Sequence, residues 1–217
     1  MARHGRGVVS LNIFHNDIEE FINSKKVNAD EKLRLKTLST AILIPDKFME
    51  ILKDNTTKYY YTFYPKNVYD ITGLELAYMD MNEWYDKLVE NKDIRKTQRN
   101  KLQILQEILK CQSEAGYPYT TFIDNVNNDN NLKGIGKIRA LNLCQEVGQL
   151  SKKNEFSSSP YETENKFGYD VSCVLSSLNL VELFDYKSDT ERKNIIKTSI
   201  KFLSNLSDFV IIKSFPS

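Results

Sequence analysis

Asn142-Leu143-Cys144-Gln145-Glu146 is the stretch on which the reading of this chain turns. In an extended backbone successive side chains alternate between faces, so Asn142, Cys144 and Glu146 would project together. Leu141, Leu143 and Val147 would then anchor the opposite face in a core. Coiled into a helix, the same residues would put Cys144 roughly opposite the other two and dissolve the constellation. An amide, a thiol and a carboxylate on one edge can form a reaction site. A half-buried strand with three incidental polar residues is the competing reading, and five residues alone leave both open.

Immediately upstream, Leu132-Lys133-Gly134-Ile135-Gly136-Lys137-Ile138-Arg139-Ala140 is similar to the hairpin of a helix-hairpin-helix DNA-binding motif, whose backbone amides contact phosphates. That motif needs a helix just before it. Asp124 to Asn131 is rich in Asn and Asp and reads as a turn region, so a glycine turn into a strand is expected instead. Further upstream, Tyr117 to Ile123 reads as a strand. A helix is expected from about Gln98 to Glu114, with Leu102, Leu105 and Leu109 on its face and Ile104, Ile108 and Cys111 beside them. Gly116 ends it, and Cys111 reads as a core thiol. Downstream, the polar segment Ser151 to Lys166 is expected to be flexible. Asp170 to Leu180, which carries Cys173, is expected to be extended, and Thr190 to Leu206 to be an amphipathic helix using Ile196, Ile200 and Leu203.

The first half of the chain alternates in the same way. Val8 to Phe14 reads as a strand, and Asn16 with Glu19 as a capping-box pair opening a short helix with Ile18, Phe21 and Ile22 inward. Thr40-Ala41-Ile42-Leu43-Ile44 is a continuous apolar run of the kind buried on both faces. Pro45 stops it, and Asp46 is expected to cap a helix with Phe48, Met49, Ile51 and Leu52 inward. Tyr59 to Tyr64 is strand-like, and Asp80 with Glu83 makes a second capping-box pair before Trp84, Tyr85, Leu88 and Val89. Strands separated by helices of this length predict an α/β fold with largely parallel strands. No repeat or linker demands a boundary, so residues 1–217 are expected to form a single partial domain. The chain stops at Phe215-Pro216-Ser217 with no closing element, which reads as a cut.

Composition excludes some classes. Lys+Arg 30 against Asp+Glu 29 leaves a formal charge of +1, so no global field draws nucleic acid or membrane. No apolar run approaches the roughly 20 residues that span a bilayer. Met1 to Gly7 is basic but lacks a signal-peptide core behind it. Cys 3, an odd count without tight spacing, fits neither a disulfide framework nor a structural metal site, and a reducing cytoplasm is expected.

Several motifs occur in order: Gly116-Tyr117-Pro118-Tyr119 with Asp124-Asn125-Val126-Asn127, then Asn142 to Glu146, then Asp170-Val171-Ser172-Cys173 with Ser177-Leu178-Asn179. This series resembles the large, catalytic subunit of ribonucleotide reductase, the class Ib branch in particular. The likeness extends to Arg3-His4-Gly5-Arg6-Gly7 with Leu11-Asn12-Ile13-Phe14-His15, which looks like the family's second specificity loop and the strand after it. Asn28-Ala29-Asp30-Glu31, Lys36-Thr37-Leu38-Ser39, Ile44-Pro45-Asp46 and Ile94-Arg95-Lys96 match as well, so essentially the whole chain aligns.

The resemblance implies a specific site. The fold would be about half of the family's ten-stranded α/β barrel, with Asn142 to Glu146 on its finger loop. Cys144 would become a thiyl radical and take the 3′-hydrogen of the ribose, Glu146 would act as base toward the 3′-hydroxyl, and Asn142 would hydrogen-bond the ribose hydroxyls. Cys173 would be one of two thiols that reduce the 2′ position. Arg3, His4, Gly5, Arg6 and Gly7 would belong to the effector loop. No cofactor or metal would be bound directly. The radical would come from a separate metal-containing small subunit, and electrons from an external dithiol of the glutaredoxin or thioredoxin type. Substrate and effector would be a ribonucleoside diphosphate and a nucleotide, with no membrane partner. The family's second reducing cysteine, phosphate loop, radical-passing tyrosines and C-terminal cysteine pair fall outside these 217 residues. Complementing large-subunit fragments, as from a split gene, are therefore expected. Leu141 and Ser176 depart from the family's usual small polar residue and glycine. A non-catalytic remnant that docks on a reductase and a helix-hairpin-helix nucleic-acid binder are the other readings.

Overall fold

The apolar run at Thr40 to Ile44 becomes the middle of a sheet. The computed structural model describes residues 6–32, 34–150 and 174–214. Its strands are Val8–Asn12 (β1), Ser39–Ile44 (β2), Tyr59–Phe63 (β3), Lys96–Asn100 (β4) and Tyr119–Phe122 (β5). The order β1-β2-β5 is parallel throughout, with Leu11 opposite Ile42 and Ile42 opposite Thr120. β2, with a neighbour on each side, buries Thr40, Ala41, Ile42 and Ile44, as an unalternating apolar strand must. The expected parallel α/β pattern is present, and a feature not expected is added to it. Gln98 to Asn100, expected to begin a helix, belong to β4, an antiparallel partner of β3 with Thr62 opposite Thr97.

Helices Ile18–Asn23 (α1), Asp46–Lys53 (α2), Pro65–Thr72 (α3), Met81–Glu90 (α4), Lys101–Ala115 (α5) and Ile123–Asn128 (α6) connect the strands. α5 begins after Asn100, whose Oδ1 accepts from Leu102 N at 3.0 Å and Gln103 N at 3.2 Å. Its buried stripe is Ile104, Ile108 and Cys111, at i, i+4 and i+7. Leu102 (56%) and Leu109 (55%), expected on the inner face, are exposed. Cys111 is a core thiol as expected, its Sγ 3.6 Å from the Ile22 carbonyl, and burial pushes its pKa up.

The expected caps are partly rearranged. Asp17, not Asn16, precedes α1 and makes no side-chain cap bond. Asn16 Oδ1 instead accepts from Thr97 Oγ1 at 2.9 Å, and Glu19 pairs with Arg99. Asp46 lies inside the first turn of α2, and its N–H donates to Asp124 Oδ2 at 2.7 Å, so the cap comes from a distant residue. Asp80 does cap α4, accepting from Asn82 N at 3.1 Å, while Glu83 turns to Lys87.

The high aromatic content has a structural use. Phe14, Phe48, Tyr60, Phe63 and Tyr85 form one cluster, with ring centroids 4.8 Å apart for Phe14 and Tyr85 and 5.1 Å for Phe48 and Tyr60. The edge-on pairs among them, such as Phe48 with Tyr60, contribute about 0.5–1.5 kcal/mol each beyond burial. Tyr60 donates to the Ile13 carbonyl at 3.4 Å, and burial holds its phenol far above the usual range. Burial pushes Tyr85 up to about 12, and its oxygen accepts from Tyr61 N at 2.9 Å.

Asp124 to Asn128, within a segment expected to be a turn, is helical as part of α6. Tertiary bonding outweighs its poor propensity: Asn127 Nδ2 donates to the Ile123 and Ile138 carbonyls at 2.8 and 2.9 Å, and Oδ1 accepts from Ile138 N at 2.7 Å. A helix thus does precede Gly134 and Gly136. No helix follows them among the described residues up to 150, and residues 136–142 form no strand either, so the helix-hairpin-helix likeness ends there.

Contacts divide the chain into two units, residues 1–169 and 170–217. In the second, residues 174–179 are irregular rather than extended, and Leu180–Asp185 (α7) follows, capped by Asn179. Asp189–Ser214 (α8) is longer than expected and opens on a capping box, with Ser188 Oγ and Glu191 Oε2 2.7 Å apart. On its expected face Ile200 is 63% exposed and Leu203 half-buried. Ser151 to Lys166, Asp170 to Cys173 and Met1 to Gly5 lie outside the described residues. Among those described, no helix is long and apolar enough to cross a membrane.

Two outcomes follow from these contacts. Lys101 is 4% exposed, and its Nζ donates to the carbonyls of Ile51, at 2.6 Å, and Asp54 at the end of α2. Lys101→Met keeps the apolar stem but orphans both carbonyls, and urea unfolding should show a loss of about 1–3 kcal/mol. Lys137, hydrogen-bonded to Asp80 Oδ2 at 2.6 Å, holds the Asp80 carboxyl below the usual aspartate range. Stability from this pair is complete above the unfolded value of about 4 and is lost as pH falls through the lower folded value. The stability difference between wild type and Asp80→Asn should therefore shrink on acidification in urea titrations run at pH about 6 and about 3.

Candidate active site

Asn142 to Glu146 is not an extended segment. Gln145 N donates to the Asn142 carbonyl at 3.1 Å, and Asn142 N donates to the Val147 carbonyl at 3.2 Å, which closes a tight reversal. Asn142 Oδ1 accepts from Val147 N at 3.0 Å, so the side chain acts as an extra backbone acceptor and stabilises the turn. Gln145 has φ 70, the left-handed value that turns the chain back. The alternation argument is therefore corrected in its backbone, since the residues sit on a loop. Cys144 lies at the third position of the turn and is exposed, Glu146 is exposed, and Asn142 is half-buried.

The loop is fastened at both flanks. Thr121 Oγ1 on β5 donates to Gln145 Oε1 at 2.8 Å, and Gln145 Nε2 donates to the Asn142 carbonyl at 2.9 Å. Asn127 on α6 holds both polar atoms of the Ile138 backbone, as described above. A Cβ at Gly148 would stand 3.1 Å from Leu141 Cδ2 and 3.3 Å from Ile138 Cδ1, so the return limb packs closely against both side chains there.

Beside the turn lies a pair of tyrosines. Tyr117 and Tyr119 have ring centroids 5.0 Å apart, Tyr117 Oη is 3.2 Å from Ser39 Oγ, and Lys25 Nζ lies 4.6 Å from the Tyr117 ring centroid. The Ser39 hydroxyl and then the Tyr119 hydroxyl hold the Tyr117 phenol below its ordinary pKa. Tyr119 is raised, first by its bond to Tyr117 and then by burial, with the charges of Cys144 and Glu146 adding to the effect. The thiol and the carboxylate therefore share an electrostatic neighbourhood over Tyr119. Asn142 is tied into the turn by its own side chain. Burial lowers the Lys25 pKa, with the neighbouring Tyr117 acting against it.

Of the expected effector-loop residues, Arg6 and Gly7 are described. Gly7 accepts from Ser39 N at 3.0 Å just before β1, at the same end of the sheet as Tyr119. Arg3, His4, Gly5 and Cys173 lie outside the described residues. The opposite end of the sheet has a cleft bordered by Asn12, Pro45, Asp80, Lys137 and Arg139. Its cations are committed, Lys137 to Asp80 and Arg139 to the Tyr78 carbonyl at 3.1 Å. Among the described residues no group of three or more His, Cys, Asp or Glu side chains could hold a metal ion. Thr121 and Gln145 were not singled out from the sequence, where nothing marks a glutamine for a left-handed turn.

Comparison with known proteins gives this arrangement a context. The family model described as ribonucleotide reductase, barrel domain, matches residues 1–216. The alpha subunit of ribonucleoside-diphosphate reductase from Bacillus subtilis (strain 168) is 40% identical over 206 residues, 95% of this chain and 29% of that protein. The Mycoplasma genitalium alpha subunit is 36% identical over 215 residues, 99% of this chain and 29% of the relative. The nrdEB alpha subunit of Bacillus phage SPbeta is 45% identical over 142 residues, 65% of this chain and 13% of the relative. The chain thus spans about 29% of the length of the relatives it matches most fully. Its parallel α/β sheet with a loop-borne thiol beside it is part of a barrel, and the chain belongs to the ribonucleotide reductase family.

Proposed function

We propose that this chain is the part of a class Ib-type ribonucleoside-diphosphate reductase large subunit that carries the radical cysteine, and that it works in the cytoplasm with the remaining parts of such a subunit. One observation carries this reading: Cys144 stands exposed on a turn tied to the parallel sheet, whereas Cys111 is sealed in the core. A thiol that exchanges hydrogen with a substrate must be reachable, and a core thiol is not.

In this reading the Cys144 sulfur, converted to a thiyl, takes the 3′-hydrogen of the ribose, and the S–H bond forms as the C3′–H bond breaks. A separate metal-containing small subunit supplies the radical. Glu146 accepts the proton of the 3′-hydroxyl, a task that requires its carboxylate within hydrogen-bond reach of that hydroxyl. Asn142 has its Oδ1 committed to Val147, so its Nδ2 is the group that donates to a ribose hydroxyl. Cys173 is one of two thiols that reduce the 2′ position and end as a disulfide, which a glutaredoxin- or thioredoxin-like dithiol reopens by exchange. The loop Arg3, His4, Gly5, Arg6 and Gly7 communicates with a nucleotide effector. The continuity of Gly7 with Ser39, and of Ser39 with Tyr117, gives that loop a short route to the neighbourhood of Cys144.

By themselves these 217 residues should not reduce ribonucleotides, since one reducing thiol, the phosphate loop and the radical path must come from elsewhere. Deoxynucleotide formation by the purified chain, supplied with the small subunit and a dithiol, would contradict the proposal. In a complemented complex the three cysteines should fail differently under single-turnover conditions. Cys144→Ser should abolish both deoxynucleotide formation and base release, because an O–H bond is far harder to break homolytically than S–H. Cys173→Ser should let 3′-hydrogen removal begin and divert the intermediate to base release. Cys111→Ser should keep the reaction course but lose about 1–3 kcal/mol of stability. Deoxynucleotide from Cys144→Ser would mean that the wrong thiol has been assigned.

A further inference from the structure

We propose that Thr121 and Gln145 are positioning residues that hold the Asn142–Glu146 turn, and with it Cys144 and Glu146, in one setting against β5; the role rests on the function proposed above. Gln145 is the one non-glycine residue with positive φ among the described residues. A side chain with a Cβ adopts that conformation at a cost, and glutamine lacks the short local hydrogen bond that eases it for Asn and Asp. Such a backbone persists where its surroundings over-determine it, and functional loops are where such residues gather.

The over-determination is visible. The Gln145 amide uses both of its ends: Oε1 accepts from Thr121 Oγ1 at 2.8 Å, and Nε2 donates to the Asn142 carbonyl at 2.9 Å. That carbonyl also accepts from Gln145 N at 3.1 Å, so the residue closes the turn twice. Thr121 is 5% exposed and lies on β5, opposite Leu43 of β2, which is a rigid support. Among the described residues its bond to Gln145 is the one hydrogen bond between the turn and the sheet. Cys144 and Glu146 are themselves exposed and contribute little packing. The direction in which the thiol and the carboxylate point is therefore set from behind, by a side chain between them.

Three variants test this. Thr121→Val keeps the branched shape and removes the hydroxyl, Thr121→Ser keeps the hydroxyl, and Gln145→Gly accepts the backbone but removes the amide. Hydrogen exchange on the 217-residue chain should show the Gln145 and Val147 amides exchanging about tenfold faster or more in Thr121→Val and Gln145→Gly. The β2 amides should be unchanged in both, and Thr121→Ser should behave as wild type. In the complemented complex, kcat for deoxynucleotide formation should fall roughly tenfold to a hundredfold in Thr121→Val, with KM within about twofold, and Thr121→Ser should restore most of it. Unchanged exchange at Gln145 and Val147 overturns the tie. Faster exchange with unaltered kcat overturns the positioning role, as does faster exchange spread over the whole sheet. A wild-type complex that makes no deoxynucleotide, with the exchange difference intact, overturns the assigned reaction and the positioning role with it.

Discussion

The arrangement depends on β2 pairing in parallel with a neighbour on each side. Parallel strands cannot be joined by a tight hairpin, so the chain must cross back over the sheet between β1 and β2 and again between β2 and β5. The crossovers carry the helices that cover the sheet, and the second is long enough to include the antiparallel β3–β4 pair and its aromatic cluster. Parallel pairing also gathers strand beginnings at one end. Gly7, Ser39 and Tyr119 meet there although they are far apart in sequence, and the Cys144 turn lies beside the last of them.

Where the sequence reading succeeded, the signal was burial with a clear period. The run Thr40 to Ile44 and the tyrosine-rich strand at Tyr59 have few other ways to satisfy their side chains, and Gly116 takes the left-handed cap that ends α5. Where it failed, a distant partner had replaced the local one. Lys96 to Asn100 is too polar to look like a strand and pairs because Tyr59 to Phe63 is already in place. Asp124 to Asn128 is poor helix material that Asn127 fastens to the Ile138 backbone, and Asp46 receives its cap from Asp124.

The same distinction holds at the candidate site. Cys144 and Glu146, expected on one face, are both exposed and both act on Tyr119. The turn was not legible: Asn142 bonding its own return limb and Gln145 at φ 70 are choices that the Thr121 hydroxyl makes possible from another element. The resemblance put these residues on a finger loop and the alternation put them on one face of an extended segment, and the hydrogen bonds of the turn correct the extended backbone.

The sheet order β1-β2-β5 leaves each outer strand with a single neighbour among the described residues. Among the described residues the outer sides of β1 and β5 pair with no further strand, and Val9 and Phe122 beside them are each 42% exposed. Such edges act as templates for any extended segment that can match their register. A strand that belongs to the barrel and a strand from another copy would compete for the same seat. The yield of properly paired sheet then depends on concentration, because pairing with another copy is bimolecular.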